Sequence, residues 1–127
     1  MSRYRKRVAP GIASFAETPL ARVLGTLSGR WSVLALEAMH DGARHFNELQ
    51  RRLDGISHKV LVDTLRALQR EGFVFGPLTS PGLAEYGLTL LGVDLVALIG
   101  EIRDWSEDHR PELADARDCF EEARAAG

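Results

Sequence analysis

Lys59, Asp63, Arg66 and Arg70 recur at i, i+4, i+7 and i+11. That spacing sets three cations and one carboxylate on one side of a helix. Just before them, Ser57 and His58 add a hydroxyl and an imidazole, so the start of this stretch offers hydrogen bonds as well as charge. Such side chains suit two kinds of recognition: cations against phosphate oxygens, and short or forked polar groups against base edges. Upstream, Arg44-His45 and Arg51-Arg52 extend the supply of cations. The competing reading is a solvated helix face with Ser57 acting only as a cap.

Covalent chemistry has no comparable signature. The chain has no glycine-rich phosphate loop, no nucleophile elbow and no carboxylate pair in a readable cleft, so it is read as non-enzymatic and without a cofactor. His40, Asp41 and His45 match no standard metal spacing, nor do Asp104, Asp108 and His109, and capping or surface roles are assigned to both groups. Cys119 is the single cysteine, which excludes an intramolecular disulfide, and it is read as a structural or partly buried thiol.

The elements that must position the polar row follow from periodicity and punctuation. Residues 1–16 read as a flexible basic arm whose Arg3, Arg5, Lys6 and Arg7 suit a neighbouring minor groove or simply a soluble tail. Thr18 caps a helix 19–27 with Pro19 in its first turn, and Ser28-Gly29 breaks it. A second helix, Arg30 to about His40, is expected to bury Trp31, Leu34, Ala38 and Met39 before Asp41-Gly42 ends it. Asn47 is expected to cap a third helix of about 48–53, with Gln50 as its reciprocal partner.

Asp54-Gly55-Ile56 makes a turn, and Ser57 caps a fourth helix, 58–71, whose apolar seam is Leu61, Leu65 and Leu68. After Gly72 the period shortens: Phe73–Phe75 and Leu83–Leu88 read as two strands about the turn Thr79–Gly82. Thr89 caps a helix of about 90–109 with Leu91, Leu95, Leu98, Ile102 and Trp105 on one stripe. Pro111 is expected to interrupt it before a final acidic helix of about 112–125. Residues 17–127 thus form one domain: two helices about a tight turn, then a hairpin, the order of a winged helix-turn-helix.

The balance of charge agrees with this order once it is divided. The 127 residues carry a net charge of −2, but residues 1–70 hold 12 Lys/Arg against 6 Asp/Glu, and residues 71–127 hold 4 against 12. A basic front and an acidic back suit a protein that meets phosphate with one half only. No apolar stretch reaches the roughly 18 residues of a membrane span, so the expected compartment is the cytoplasm, with no membrane partner.

Several segments carry a resemblance. They are Gly29-Arg30-Trp31, Phe46-Asn47-Glu48-Leu49, Gly55–Lys59 with Leu61, Leu65–Leu68, Glu71–Val74, Glu85–Thr89 with Gly92, and Trp105 with His109. In this order and spacing, over about residues 18–110, the chain resembles the HxlR-type winged-helix transcription regulators, relatives of the MarR group. The resemblance implies a mainly α winged helix-turn-helix with a two-stranded wing and terminal dimerisation helices, about 17–28 and 90–125. It implies a homodimer that binds an inverted-repeat operator in double-stranded DNA through helix 58–71, as a repressor. Arg44, His45, Arg51, Arg52, Ser57, His58, Lys59, Asp63, Arg66 and Arg70 then form the DNA-binding set. Leu20, Leu24, Leu95, Leu98, Ile102 and Trp105 form the dimer interface. By the same analogy a small-molecule effector would sit between wing, dimer helices and core.

The chain departs from the family pattern in three places. Thr18 stands where a cysteine is common, His45 stands for an arginine, and residues 71–102 hold no Lys, Arg or His. A wing without positive charge motivates a second reading, a winged-helix protein–protein interaction module with DNA binding weakened or lost.

Overall fold

Three hydroxyl caps open three of the helices, each where the sequence places it. In the computed structural model, which describes residues 12–77 and 85–127, Thr18 Oγ1 accepts from the Ala21 N–H at 3.2 Å. Ser57 Oγ accepts from Val60 at 3.1 Å and Thr89 Oγ1 from Gly92 at 3.0 Å. Each bond satisfies a first-turn N–H that has no partner within its own helix.

The element order is α1 (Ile12–Phe15), α2 (Pro19–Leu27), α3 (Arg30–His40), α4 (Phe46–Arg52), α5 (His58–Arg70), β1 (Val74–Phe75), β2 (Gly87–Leu88), α6 (Leu90–Asp108) and α7 (Arg110–Ala126). The strands pair antiparallel, Val74 opposite Leu88 and Phe75 opposite Gly87. Helix α3 is the hub and touches α2, α4, α5, α6 and β2. Leu36 of α3 and, around it, Leu49, Leu61, Leu65 and Leu68 are fully buried, each contributing roughly 1.5–3 kcal/mol of transfer free energy.

Five local expectations change. Helix α4 starts two residues early, capped by His45 in extended conformation rather than by Asn47. Phe46 is buried in the core and draws the helix start with it. Glu48, now at the third helical position, reaches back to accept from the Arg44 N–H at 3.0 Å, the task expected of Gln50. Pro111 does not interrupt: it lies within the first turn of α7, where no N–H is needed, and the break falls at His109. There the imidazole stacks on Trp105 at 4.2 Å between centroids. Leu34 is exposed rather than buried, and Cys119 is exposed rather than partly buried.

Ile12–Phe15, expected within the basic arm, form one helical turn. Arg3, Arg5, Lys6, Arg7, the turn Thr79–Gly82 and Leu83 lie outside the described residues. Of the expected second strand, Gly87 and Leu88 are paired.

The joint between α5, the strands and α6 is close. Thr89 Oγ1 donates to the Gly72 carbonyl at 2.6 Å, and the Thr89 N–H donates to Phe73 O at 3.1 Å. Gly92 makes the approach possible, since a Cβ there would stand 2.1 Å from the Phe73 carbonyl oxygen.

Candidate nucleic-acid interface

Helix α4, the turn and α5 are held as a unit by what they bury. Leu49, Leu53, Ile56 and Leu61 all belong to the core, and the Ile56 N–H closes the turn on Leu53 O at 3.0 Å. Gly55 sits at φ +92, in the left-handed region that a side chain disfavours. The His58 ring lies 4.8 Å from that of Phe46 and packs the start of α5 against α4. With Leu61, Leu65 and Leu68 turned inward, the opposite side of α5 is left to solvent.

All ten residues expected to meet DNA are exposed. Lys59, Asp63, Arg66 and Arg70 share the outward face of α5, with Ser57 and His58 at its N-terminal end. Ser57 Oγ is already engaged as the cap. Arg44 and His45 precede α4, and the Arg44 carbonyl accepts from the Tyr86 N–H at 2.7 Å, which fixes this loop beside the wing. Arg52 is not brought to the α5 face. It pairs with Glu48 at 3.7 Å and lines a groove with Trp31, Asp41 and Asp54 on the side of α3.

The electrostatics of the face are uneven. Lys59 Nζ stands 2.9 Å from Asp63 Oδ2, and this bond, with the carboxylate's charge, holds the ammonium above the usual lysine range. Arg44, Arg51, Arg66 and Arg70 have no ion-pair partner among the described residues. The Arg44 N–H, more than any other group, holds the Glu48 carboxyl below the usual carboxylate range. Burial raises Tyr86, and the charge of nearby Arg66 opposes that shift. One side chain at the edge of this face was not anticipated: Val60, 38% exposed. Its only signal in the sequence is an apolar residue off the leucine seam.

The expected dimer face divides. Leu20 and Leu24 of α2 and Leu98, Ile102 and Trp105 of α6 are exposed, Trp105 at 56%. Leu95 is not part of that face: at 5% exposure it belongs to the core of the single chain. Phe120 and Leu113 of α7, within the expected dimerisation segment 90–125, add exposed apolar surface. The space between wing, α2 and α6 is a cleft of about 180 Å³ lined by Pro19, Arg22, Val23, Glu71, Phe73 and Leu91. That is below the roughly 300–1,000 Å³ of typical ligand pockets, whereas an open groove of about 570 Å³ lies between α3 and α6, lined by Glu37, His40, Val93, Val96 and Arg103. Among the described residues, no three His, Cys, Asp or Glu side chains converge to hold a metal ion, and no helix is long and apolar enough to cross a membrane.

A family model described as HxlR-like helix-turn-helix matches residues 26–114. The chain belongs to that family. One relative is YtfH, an uncharacterized HTH-type transcriptional regulator of Escherichia coli (strain K12). It is 37% identical over 108 residues, 82% of this chain and 85% of that protein. YdeP of Bacillus subtilis (strain 168), named in the same terms, is 31% identical over 114 residues, 88% of this chain and 86% of its own. Among solved structures, ytfH from Salmonella typhimurium aligns with a TM-score of 0.64 at 35% identity, covering 82% of this chain and 96% of that one. The redox regulator HypR in its reduced form aligns with a TM-score of 0.64 at 28% identity, covering 77% and 99%. This HxlR-like chain is therefore a transcriptional regulator of the helix-turn-helix type with a winged-helix fold, and α4–α5 is its helix-turn-helix. The matched span holds that unit, the described strands and all of α6, and it ends in the second turn of α7.

Proposed function

We propose that the protein is a homodimeric repressor that binds an inverted-repeat operator in double-stranded DNA, reading it with α5 of each chain. One observation carries the reading: α5 buries its leucine seam and turns Lys59, Asp63, Arg66 and Arg70 outward from an N-terminal end capped by Ser57. A helix so presented can enter the major groove with its first turns on base edges and its later arginines on phosphate. Arg51, Arg44 and His45 flank it toward the backbone, and the basic arm Arg3–Arg7 adds cations that the wing lacks. Occupying the operator is enough to block a promoter, so repression needs no further surface.

The exposed apolar residues of α2, α6 and α7 support pairing of two chains. A symmetric pair would set the two α5 helices about 34 Å apart, one turn of B-DNA.

Titration against genomic DNA fragments at two salt concentrations tests the reading. The expected result is salt-sensitive binding with a preferred fragment, and a salt slope that falls by about one for each phosphate contact removed. Lys59→Ala and Arg66→Ala should each weaken binding. No binding at low salt would favour the protein–protein module suggested by the uncharged wing. Binding that survives both substitutions would move the interface away from α5.

A further inference from the structure

Asp63 has no use on a surface built only to attract phosphate. Its side chain is exposed within a row of cations, and its Oδ2 lies 2.9 Å from Lys59 Nζ, so one of the row's positive charges is already neutralised. Val60, one turn before Asp63 on the same side, shows an isopropyl group to solvent, off the seam that packs α5. Phosphate attraction explains none of these features, whereas base edges explain all three. In the major groove a carboxylate accepts from the cytosine N4 amino group, an ammonium donates to guanine O6 and N7, and an apolar side chain meets the thymine methyl.

This inference rests on the reading of α5 as the DNA-reading helix. We propose that Asp63 is a specificity-determining residue that accepts a hydrogen bond from a cytosine amino group and hands Lys59 over to a guanine, with Val60 against a thymine methyl. On a wrong sequence the carboxylate meets acceptors or phosphate, and it is repelled while still holding Lys59. On the right one the intramolecular pair is exchanged for two base contacts, and neither charge is left unpaired in the groove. Asp63 thus weakens binding to DNA in general more than binding to the operator. The rival role is an i, i+4 pair that only supports the helix. Its loss would move thermal stability and leave base preference alone.

Selection from a duplex library randomised over two turns of B-DNA separates the roles, using the full chain as wild type, Asp63→Asn and Asp63→Ala. The selected and an unrelated duplex are then titrated at one salt concentration. The wild type should select a cytosine at one position of each half-site. Asp63→Asn should shift that position to adenine, which asparagine reads bidentately, and Asp63→Ala should leave it without preference. In both variants binding to the unrelated duplex should tighten. The ratio of selected to unrelated affinity should fall about 5- to 150-fold, the span of one good base contact. The same base at every position in all three proteins, with the ratio unchanged, overturns the proposal while leaving α5 as the DNA-binding helix. A wild type that selects no sequence overturns that reading too.

Discussion

Helices α5 and α7 are both long and amphipathic, yet the chain treats them in opposite ways. The 13 residues of α5 start on a serine cap and bury Leu61, Leu65 and Leu68 in their own domain. The 17 residues of α7 start at Arg110, behind His109, which makes no side-chain cap, and bury nothing. In proteins most of a helix's stability comes from covering an apolar side. Helix α7 has such a side, with Leu113, Ala116, Phe120 and Ala123 at i, i+3, i+7 and i+10, and Phe120 is 62% exposed. The contrast shows what each helix leaves for a partner. The domain completes α5 and leaves it a polar face, whereas α7 is left with an apolar one, which suits a second copy of the chain.

The largest effect should come from attacking the completed helix. Leu65→Ala should cost about 2–5 kcal/mol in urea unfolding, and any loss of DNA binding should follow the unfolded fraction. A cost well under 1 kcal/mol would mean that the seam is not what holds α5. The other half of the contrast calls for Phe120→Ala in α7. With nothing buried in the single chain, this change should spare the domain and weaken self-association by about 1.5–3 kcal/mol, seen by light scattering over a dilution series. An unchanged dimer constant would remove α7 from the interface.

The smallest effect concerns how the helix-turn-helix begins. Glu48 is held below its ordinary range by the Arg44 N–H, so its contribution is present above its unfolded value of about 4.3 and is lost as pH falls through the lower folded one. The urea midpoint should therefore drop as the pH is taken below about 5. Glu48→Gln should flatten part of that drop, and identical pH profiles would show that the bond carries no stability.

Much of this was legible in the sequence because caps and glycine turns are local chemistry. Thr18, Ser57 and Thr89 each accept from the N–H three residues on, wherever the helix later packs. The polar face of α5 was legible for the same reason, since its spacing fixes its side. Periodicity could not say whose core an apolar stripe enters. Leu95 and Leu98 read alike on α6, yet the first is core and the second is exposed. Nor could it weigh Phe46, whose burial overrode an asparagine that looked like a cap. Val60 was missed because a valine in a helical pattern is usually assigned to the inside.

Gly92 and Thr89 fasten α6 to the segment that leaves α5, through two hydrogen bonds and a backbone approach that no side chain would permit. At 1.5 Å per residue, the 19 residues of α6 form a rod about 28 Å long. A joint this tight leaves little room for α6 to tilt against the segment that leaves α5. Two such rods crossed at their far ends would behave as calipers. A few degrees at the crossing would reset the gap between the tips, and with it the operator spacing that the pair can grip.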